Sequence, residues 1–66
     1  MGRRDIRVTI VVPIFNEDGN IEKLYEELKD SLRDYEYEII FVDDGSTDNS
    51  FKILESLSLK DSNIKV

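Results

Sequence analysis

Hydrophobic and polar positions follow two different periods along this chain, and the change of period marks its predicted elements. Residues 6–12, IRVTIVV, are rich in β-branched side chains and nearly continuous in apolar ones, which is typical of a strand buried on both faces. From Ile21 the apolar residues recur at 24, 25, 28 and 32, the spacing of an amphipathic helix that should end near Asp34. Pro13 cannot donate to a sheet ladder, so it should mark the end of the strand or an edge position.

The same succession repeats in the second half of the chain. Residues 37–42, YEIIFV, are the second predicted strand, and residues 64–66 look like the opening of a third. Between them a second helix is predicted. Its inner side should carry Phe51, Leu54 and Leu57, together with Ile53 or Ser58.

Polar residues that favour turns and caps precede each predicted helix. Asp18 or Asn20 is a candidate cap for the first helix, and Ser46 or Thr47 for the second. Asp48 would lie in the first turn of the second helix, where a carboxylate suits the positive end of the helix dipole.

The order strand, helix, strand, helix, strand predicts an α/β fold with parallel strands and right-handed connections. It corresponds to part of a Rossmann-like nucleotide-binding half. So small a sheet leaves an open edge and one uncovered face, so we expect residues 1–66 to be the N-terminal segment of one larger domain. The same exposed edge motivates a second hypothesis, in which this chain self-associates.

Composition narrows the function classes. The 66 residues contain no cysteine and no histidine and carry a net charge of −6, which argues against a disulfide framework, a thiolate metal site and nucleic-acid binding. No apolar run approaches the roughly 20 residues of a membrane span, so we expect a cytoplasmic protein. Arg3, Arg4 and Arg7 form the only basic cluster, read as a solvated tail or as a weak contact with anionic lipid.

The candidate chemistry lies where the first two strands end. In open parallel sheets, ligands bind outside the carboxyl ends of the strands. If the two strands are neighbours, residues 13–17 (PIFNE) and 43–46 (DDGS) lie side by side. Neither a GxGxxG nor a Walker A stretch is present, so the glycines do not predict a phosphate cradle.

Asp43 and Asp44 are consecutive, so on an extended backbone their side chains should point to opposite sides. One should face the crevice and the other should brace the loop. A crevice carboxylate accepts hydrogen bonds only, which suits the N–H edge of a base, ribose hydroxyls or, with more oxygen ligands, a metal ion. The alternative is that both aspartates merely cap the following helix.

The neighbouring residues allow similar alternatives. Asn16 and Glu17 either end a strand and start a helix, or offer an amide and a carboxylate to a ribose or base. Phe15 either stacks on a base or plugs the turn. Pro13 makes the turn rigid, and Gly45 permits a positive φ or the close approach of a ligand.

Taken together, VVPIFNEDGNIEKL and YEIIFVDDGSTDNSFKIL resemble the opening of the family 2 inverting glycosyltransferases with the GT-A fold. The resemblance covers residues 6–66 and is closest to the dolichyl- and polyprenyl-phosphate mannosyl- or glucosyltransferases. It implies a hexosyltransferase with a UDP- or GDP-sugar donor and a lipid-phosphate acceptor, at the cytoplasmic face of a membrane.

The resemblance also implies which residues bind the donor. Asp44 is the better choice for the base N–H, Asp48 is mainly a cap, and Phe15 replaces the usual tyrosine and keeps only a stacking or packing role. The implied nucleotide-sugar-binding residues are Pro13, Phe15, Asn16, Glu17, Asp43, Asp44, Gly45 and Ser46.

The chain departs from the family in length. The family's DxD motif, which binds Mg²⁺ or Mn²⁺, comes later in the sequence, as do the catalytic base and the acceptor site. We therefore assign no catalytic and no metal-binding residue here, and we expect the 66-residue chain alone to lack transferase activity.

A receiver-like signalling module is the alternative from another class. Such modules also hold Mg²⁺ with an acidic pair at a strand end, but the pair follows the first strand. In this chain the acidic pair follows the second strand.

Overall fold

The fold is built from three parallel strands and two helices. A computed structural model describes residues 7–66. The elements are β1 (Arg7–Ile14), α1 (Ile21–Ser31), β2 (Glu36–Asp43), α2 (Ser50–Lys60) and β3 (Ile64–Lys65), and the sheet order is β1-β2-β3. Both strand pairs are parallel, so the predicted α/β fold with a partial Rossmann-like sheet is confirmed.

The register of β1 against β2 brings the two strand ends level with each other. Ile14 is paired with Asp43, and Pro13 with Val42. The Asp44 N–H extends the ladder by donating to the Ile14 carbonyl oxygen at 2.8 Å. The polar residues after each strand therefore emerge at the same edge of the sheet, as predicted.

The core lies between the sheet and the two helices. Ile39 and Phe41 of β2 are fully buried, and so are Ile21 of α1 and Leu54 of α2. Burying one such side chain stabilises the fold by about 1.5–3 kcal/mol. The α1 stripe is confirmed, because its two ends are buried and the residues between pack on the core: Ile21, Leu24, Tyr25, Leu28 and Leu32.

The opposite face of the sheet is uncovered. Burial alternates along β1, and Val11 is 61% exposed, while Val42 of β2 is 47% exposed. The expectation that the first strand is buried on both faces is therefore wrong for this chain, since both helices pack on one side. Pro13 lies at the end of β1, an edge strand among residues 7–66, which confirms its predicted position.

The helix ends differ from the predicted ones. α1 ends at Ser31 rather than near Asp34. Asn20 occupies its N-cap position but makes no capping hydrogen bond with its side chain. α2 begins later than predicted, with Asn49 at its N-cap position. Phe51, predicted for the inner side of α2, is 48% exposed, because its side of the helix lines an open groove rather than the core.

A polar contact holds the turn that leads from α2 to β3. The Tyr25 hydroxyl of α1 donates to Asp61 Oδ2 at 2.7 Å, and Asp61 Oδ1 accepts the Asn63 N–H at 2.9 Å. Desolvation, and then the Asp61 carboxylate, raise the pKa of Tyr25 to about 12. The neutral tyrosine is therefore the form that links α1 to this turn.

Two sequence-based expectations concern the N-terminal region and membranes. Arg7 belongs to β1, where its Nη1 atom lies 4.0 Å from Glu36 Oε1, so it is not part of a free tail. Arg3, Arg4 and the predicted first strand residue Ile6 lie outside the described residues. Neither α1 nor α2 is long and apolar enough to cross a membrane.

Candidate functional site

Two loops form the candidate site at the carboxyl edge of the sheet. The first loop, residues 15–20, joins β1 to α1, and the second loop, residues 44–49, joins β2 to α2. Because β1 and β2 are adjacent and parallel, the loops leave the sheet side by side. Residues some thirty positions apart in sequence then become hydrogen-bonding partners.

Asn16 makes the principal connection between the two loops. Its Oδ1 atom accepts the Thr47 N–H at 2.8 Å, with the Thr47 hydroxyl at 3.4 Å. Its own backbone N–H donates to Ser46 Oγ at 2.9 Å. We call these contacts the Asn16 clamp. They satisfy backbone groups of both loops, so the clamp sets the position of the second loop relative to the first.

The backbone of Asn16 explains why asparagine suits this position. Asn16 has a φ of 50°, the only positive φ of a non-glycine residue among residues 7–66. Asparagine tolerates this left-handed conformation better than most residues, and its amide can still bond the neighbouring loop. Gly45 in the second loop has a φ of 80°, where a side chain would be strained.

A second connection exchanges hydrogen bonds between two carboxylates and the opposite loops. The Asp18 N–H donates to Asp48 Oδ2 at 3.2 Å, and Asp18 Oδ2 accepts the Asn49 N–H at 3.3 Å. Asp48 Oδ1 accepts the Ser50 N–H at 2.9 Å, so its carboxylate bonds the first N–H of α2. The prediction that Asp48 lies in the first turn of the helix is wrong, because Asp48 precedes the N-cap residue Asn49.

The electrostatic environment of Asp48 favours its ionised form. Desolvation opposes ionisation, but the hydrogen bonds from the Ser50 side chain, the Ser50 N–H and the Asp18 N–H outweigh it. The pKa of Asp48 is therefore lowered from its ordinary value.

Ser50 is a site-forming residue that sequence reasoning missed. It is completely buried, and its Oγ atom accepts the Glu17 N–H at 2.9 Å, which joins the start of α2 to the first loop. A serine directly after the turn residues DN is a signal for a helix start. Nothing in the local sequence, however, indicates a partner in the other loop.

The clamp divides the predicted binding residues into two groups. Asn16 and Ser46 use their polar atoms within the clamp. Phe15 is 56% exposed, so it does not plug the turn, and the carboxylate of Asp44 is exposed with no hydrogen-bond partner within residues 7–66. Glu17, the other predicted binding residue of the first loop with a polar side chain, accepts a bond from Asn20 Nδ2 at 3.1 Å.

The two aspartates after β2 are in different surroundings. Asp43 is half-buried, in step with buried Phe41, whereas Asp44 is exposed. Neither caps α2, which rules out the capping alternative. The carboxylates that bond across the two loops are those of Asp18 and Asp48, rather than either carboxylate of this pair.

Asp43 has its own groove. Its Oδ1 atom is buried and has no hydrogen-bond partner within the described part of the chain. The residue Asp43 lines an open groove of about 860 Å³, on the α2 side of β2, together with Phe51, Ile64 and Val66. This groove does not include Phe15 or Asp44, so the two aspartates of the pair serve different surfaces.

Comparison with known proteins identifies the family of the chain. A sequence model described as "Glycosyl transferase family 2" matches residues 9–66, which is nearly the whole chain. The chain belongs to glycosyltransferase family 2. This assignment excludes the receiver-like alternative. No solved structure is significantly similar to the chain.

Curated relatives agree with the family. An uncharacterized glycosyltransferase of Bacillus subtilis, YkcC, is 42% identical over 65 residues, covering 96% of this chain and 20% of the relative. An undecaprenyl-phosphate 4-deoxy-4-formamido-L-arabinose transferase of Proteus mirabilis is 45% identical over 51 residues (74% and 16%). A prophage bactoprenol glucosyl transferase homolog of Escherichia coli is 36% identical over 58 residues (85% and 19%). The chain thus spans a fifth or less of these relatives.

A divalent cation, which the resemblance to family 2 implies, does not fit the residues present. Within residues 7–66 no group of three or more histidine, cysteine, aspartate or glutamate side chains could hold a metal ion. Asp18 and Asp48 are near each other, but their carboxylates accept backbone N–H groups.

We predict that Ser50→Ala destabilises the fold by about 1–3 kcal/mol, because it leaves the partly buried Glu17 N–H without an acceptor. Urea unfolding followed by circular dichroism measures the change. Ser62→Ala is the matched control, since Ser62 is exposed in a turn, and it should change stability by less than about 0.5 kcal/mol. Equal effects of the two substitutions would contradict the assigned role of Ser50.

We predict that Asp48 makes stability depend on acid pH. Because its folded pKa lies below the ordinary value of 3.8, its contribution is present above that pH and is lost as the pH falls through the folded pKa. Thermal unfolding from neutral to strongly acidic pH should show a weaker pH dependence in Asp48→Asn than in the wild type. Asp34→Asn, at an exposed carboxylate, should keep the wild-type dependence. Identical curves for all three proteins would refute this prediction.

Proposed function

We propose that this chain is the nucleotide-sugar-binding segment of a family 2 catalytic domain. The whole protein would transfer a hexose from a UDP- or GDP-sugar to a polyprenyl or dolichyl phosphate at the cytoplasmic face of a membrane. Family membership supports the transferase class. Relatives named as undecaprenyl-phosphate and bactoprenol sugar transferases support the lipid-phosphate acceptor.

One observation carries the assignment of the binding surface. The Asn16 clamp holds the two loops together and uses polar groups of Asn16, Ser46 and Thr47. Beside the clamp, the ring of Phe15 and the carboxylate of Asp44 remain exposed. An aromatic face and an acceptor at neighbouring strand ends are suited to a nucleoside, since one stacks and the other pairs.

Each exposed group has a definite chemical role in this proposal. The Phe15 ring stacks on the base; stacking of a base on an aromatic side chain contributes about 1–3 kcal/mol where alanine substitution has measured it. The Asp44 carboxylate accepts the N–H of uracil or guanine, because an ionised carboxylate offers only acceptors. Gly45, with its positive φ, lets the backbone turn directly after Asp44.

The other predicted residues play supporting roles. Asn16 and Ser46 are positioning residues, because their polar atoms bond within the clamp. Pro13 is exposed at the end of β1, and Glu17 is exposed in the first loop, so both lie within reach of a bound ribose or base. Asp43 lines the groove beside α2, and its buried Oδ1 atom has no hydrogen-bond partner within residues 7–66.

The chemistry of transfer belongs to other parts of the protein in this proposal. A base is needed for the acceptor hydroxyl or phosphate, and a cation such as Mg²⁺ or Mn²⁺ for the diphosphate leaving group. Residues 1–66 are proposed to form the first segment of a single catalytic domain that also includes these groups. Alone, the segment should bind donor without transferring sugar.

The binding role is tested by titrating the ¹⁵N-labelled chain with UDP-sugars and GDP-sugars and following amide chemical shifts. We expect shifts concentrated at residues 13–17 and 43–46, even at millimolar affinity. Asp44→Ala should weaken binding at least several-fold because it removes the base acceptor. Asp34→Ala is the matched control, since it removes an equally exposed carboxylate far from the loops.

Two results would contradict the proposal. Unchanged binding by Asp44→Ala would refute the role of that carboxylate. Shifts spread evenly over α1 and α2, with none at the two loops, would refute the location of the site.

We further propose that the 66-residue chain self-associates through its uncovered sheet face. Val11 on the edge strand β1 is 61% exposed and Val42 on the central strand β2 is 47% exposed, and an uncovered apolar face beside an open edge favours association. Light scattering at several concentrations should show a rising average mass that Val11→Lys reduces. Leu59→Lys, at an 84% exposed position of α2, should not reduce it. A monomer at every concentration would contradict this proposal.

A further inference from the structure

Two Asp-Gly pairs occur in the chain, one in each loop. Asp18-Gly19 lies in the first loop and Asp44-Gly45 in the second. An aspartate before glycine is prone to react with its own backbone, because glycine has no Cβ to shield its nitrogen from the neighbouring carboxyl group. The surroundings of each carboxylate then decide which pair reacts.

The Asp18 carboxylate is held in place. Its Oδ2 atom accepts the Asn49 N–H at 3.3 Å, and its backbone N–H donates to Asp48 Oδ2 at 3.2 Å. Asp18 is also half-buried. To reach the Gly19 nitrogen, the carboxyl group would have to give up its contact with the second loop.

The Asp44 carboxylate has no such restraint. Asp44 is exposed, and neither its side chain nor the Gly45 N–H makes a hydrogen bond to any of residues 7–66. A Cβ placed on Gly45 would meet nothing within 4 Å, so the space around the nitrogen is open. Gly19 is equally open, which leaves the carboxylate as the difference between the two pairs.

We propose that Asp44-Gly45 is a site of spontaneous isomerisation of aspartate to isoaspartate, and that Asp18-Gly19 is protected from this reaction by the fold. The Gly45 nitrogen attacks Cγ of the protonated Asp44 carboxyl group. A C–N bond forms, the C–OH bond breaks, and the hydroxyl leaves as water with the proton of the nitrogen. The product is a five-membered cyclic imide.

Water then opens the ring and restores the atoms that were lost. Attack at Cγ returns aspartate, whereas attack at the backbone carbonyl carbon leaves the main chain running through the former side chain. That isoaspartate adds one methylene to the backbone of the second loop and places the carboxylate on a short branch. The change occurs at Asp44, whose backbone N–H donates to the Ile14 carbonyl oxygen at 2.8 Å. The proposal is independent of the nucleotide-binding role.

The experiment ages the folded chain at mildly acidic pH and elevated temperature, below its unfolding midpoint. Trypsin separates the two pairs into the peptides 8–23 and 34–52. Isoaspartate in each peptide is measured by enzymatic methyl labelling and located by electron-transfer fragmentation. The same incubation in concentrated urea removes the contacts that restrain Asp18. Asp44→Glu, whose longer side chain would require a six-membered ring, and Asp18→Glu complete the set.

We expect isoaspartate at residue 44 to form several-fold faster than at residue 18 in the folded chain, and the two rates to converge in urea. Asp44→Glu should lower labelling of the peptide 34–52 to the slow rate of its other aspartate and asparagine residues, and Asp18→Glu should leave it unchanged. Equal rates at the two pairs in the folded chain would overturn the proposal. Labelling of the peptide 34–52 that continues at the wild-type rate in Asp44→Glu would overturn it as well.

Discussion

The side-chain amide of Asn16 connects two loops that lie some thirty residues apart in the sequence. It accepts the Thr47 N–H at 2.8 Å, while the Asn16 N–H donates to Ser46. Besides the clamp, the strand ladder, the Asp18–Asp48 exchange and the Glu17–Ser50 bond also join the first loop to the second loop and the start of α2. The clamp needs a residue that adopts a φ of 50° and carries a short acceptor, and asparagine meets both conditions. The clamp fixes how Ser46 and Thr47 lie against the first loop.

The clamp also separates the residues that build the site from those available to a ligand. Buried Ser50 and the carboxylates of Asp18 and Asp48 bond backbone groups across the loops, so their polar atoms are already satisfied. Phe15 and Asp44 lie beside them with exposed side chains. A rigid arrangement of this kind lowers the cost of binding, because little conformational freedom remains to be lost.

The local sequence pattern was enough to predict the type and order of the secondary-structure elements. The apolar stripe of α1 follows from helical periodicity alone, and the parallel sheet follows from the order of the elements. The start of α2 could not be predicted in this way. Ser46 and Thr47 are good capping residues, but they form hydrogen bonds with Asn16, which lies some thirty residues earlier in the sequence. Because they are held against the first loop, α2 begins only at Ser50.

Burial was harder to predict than element type. The continuous apolar run of β1 indicates a strand with two covered faces, yet in this chain the helices cover only one face, and Val11 is exposed. Phe51 has the spacing of a core residue but faces the groove beside Asp43. For the site, the sequence located both loops, whereas Ser50 and the reciprocal role of Asp18 depend on contacts between distant residues.

Amide hydrogen exchange at Thr47 tests the clamp most directly. In the wild-type chain, the Thr47 N–H should exchange more slowly than the Gly45 N–H, which has no acceptor within residues 7–66. Asn16→Ala should raise the Thr47 rate to that of Gly45, and Asn63→Ala, at an exposed turn position, should leave it unchanged. Rapid exchange at Thr47 in the wild type, or protection that survives Asn16→Ala, would contradict the account.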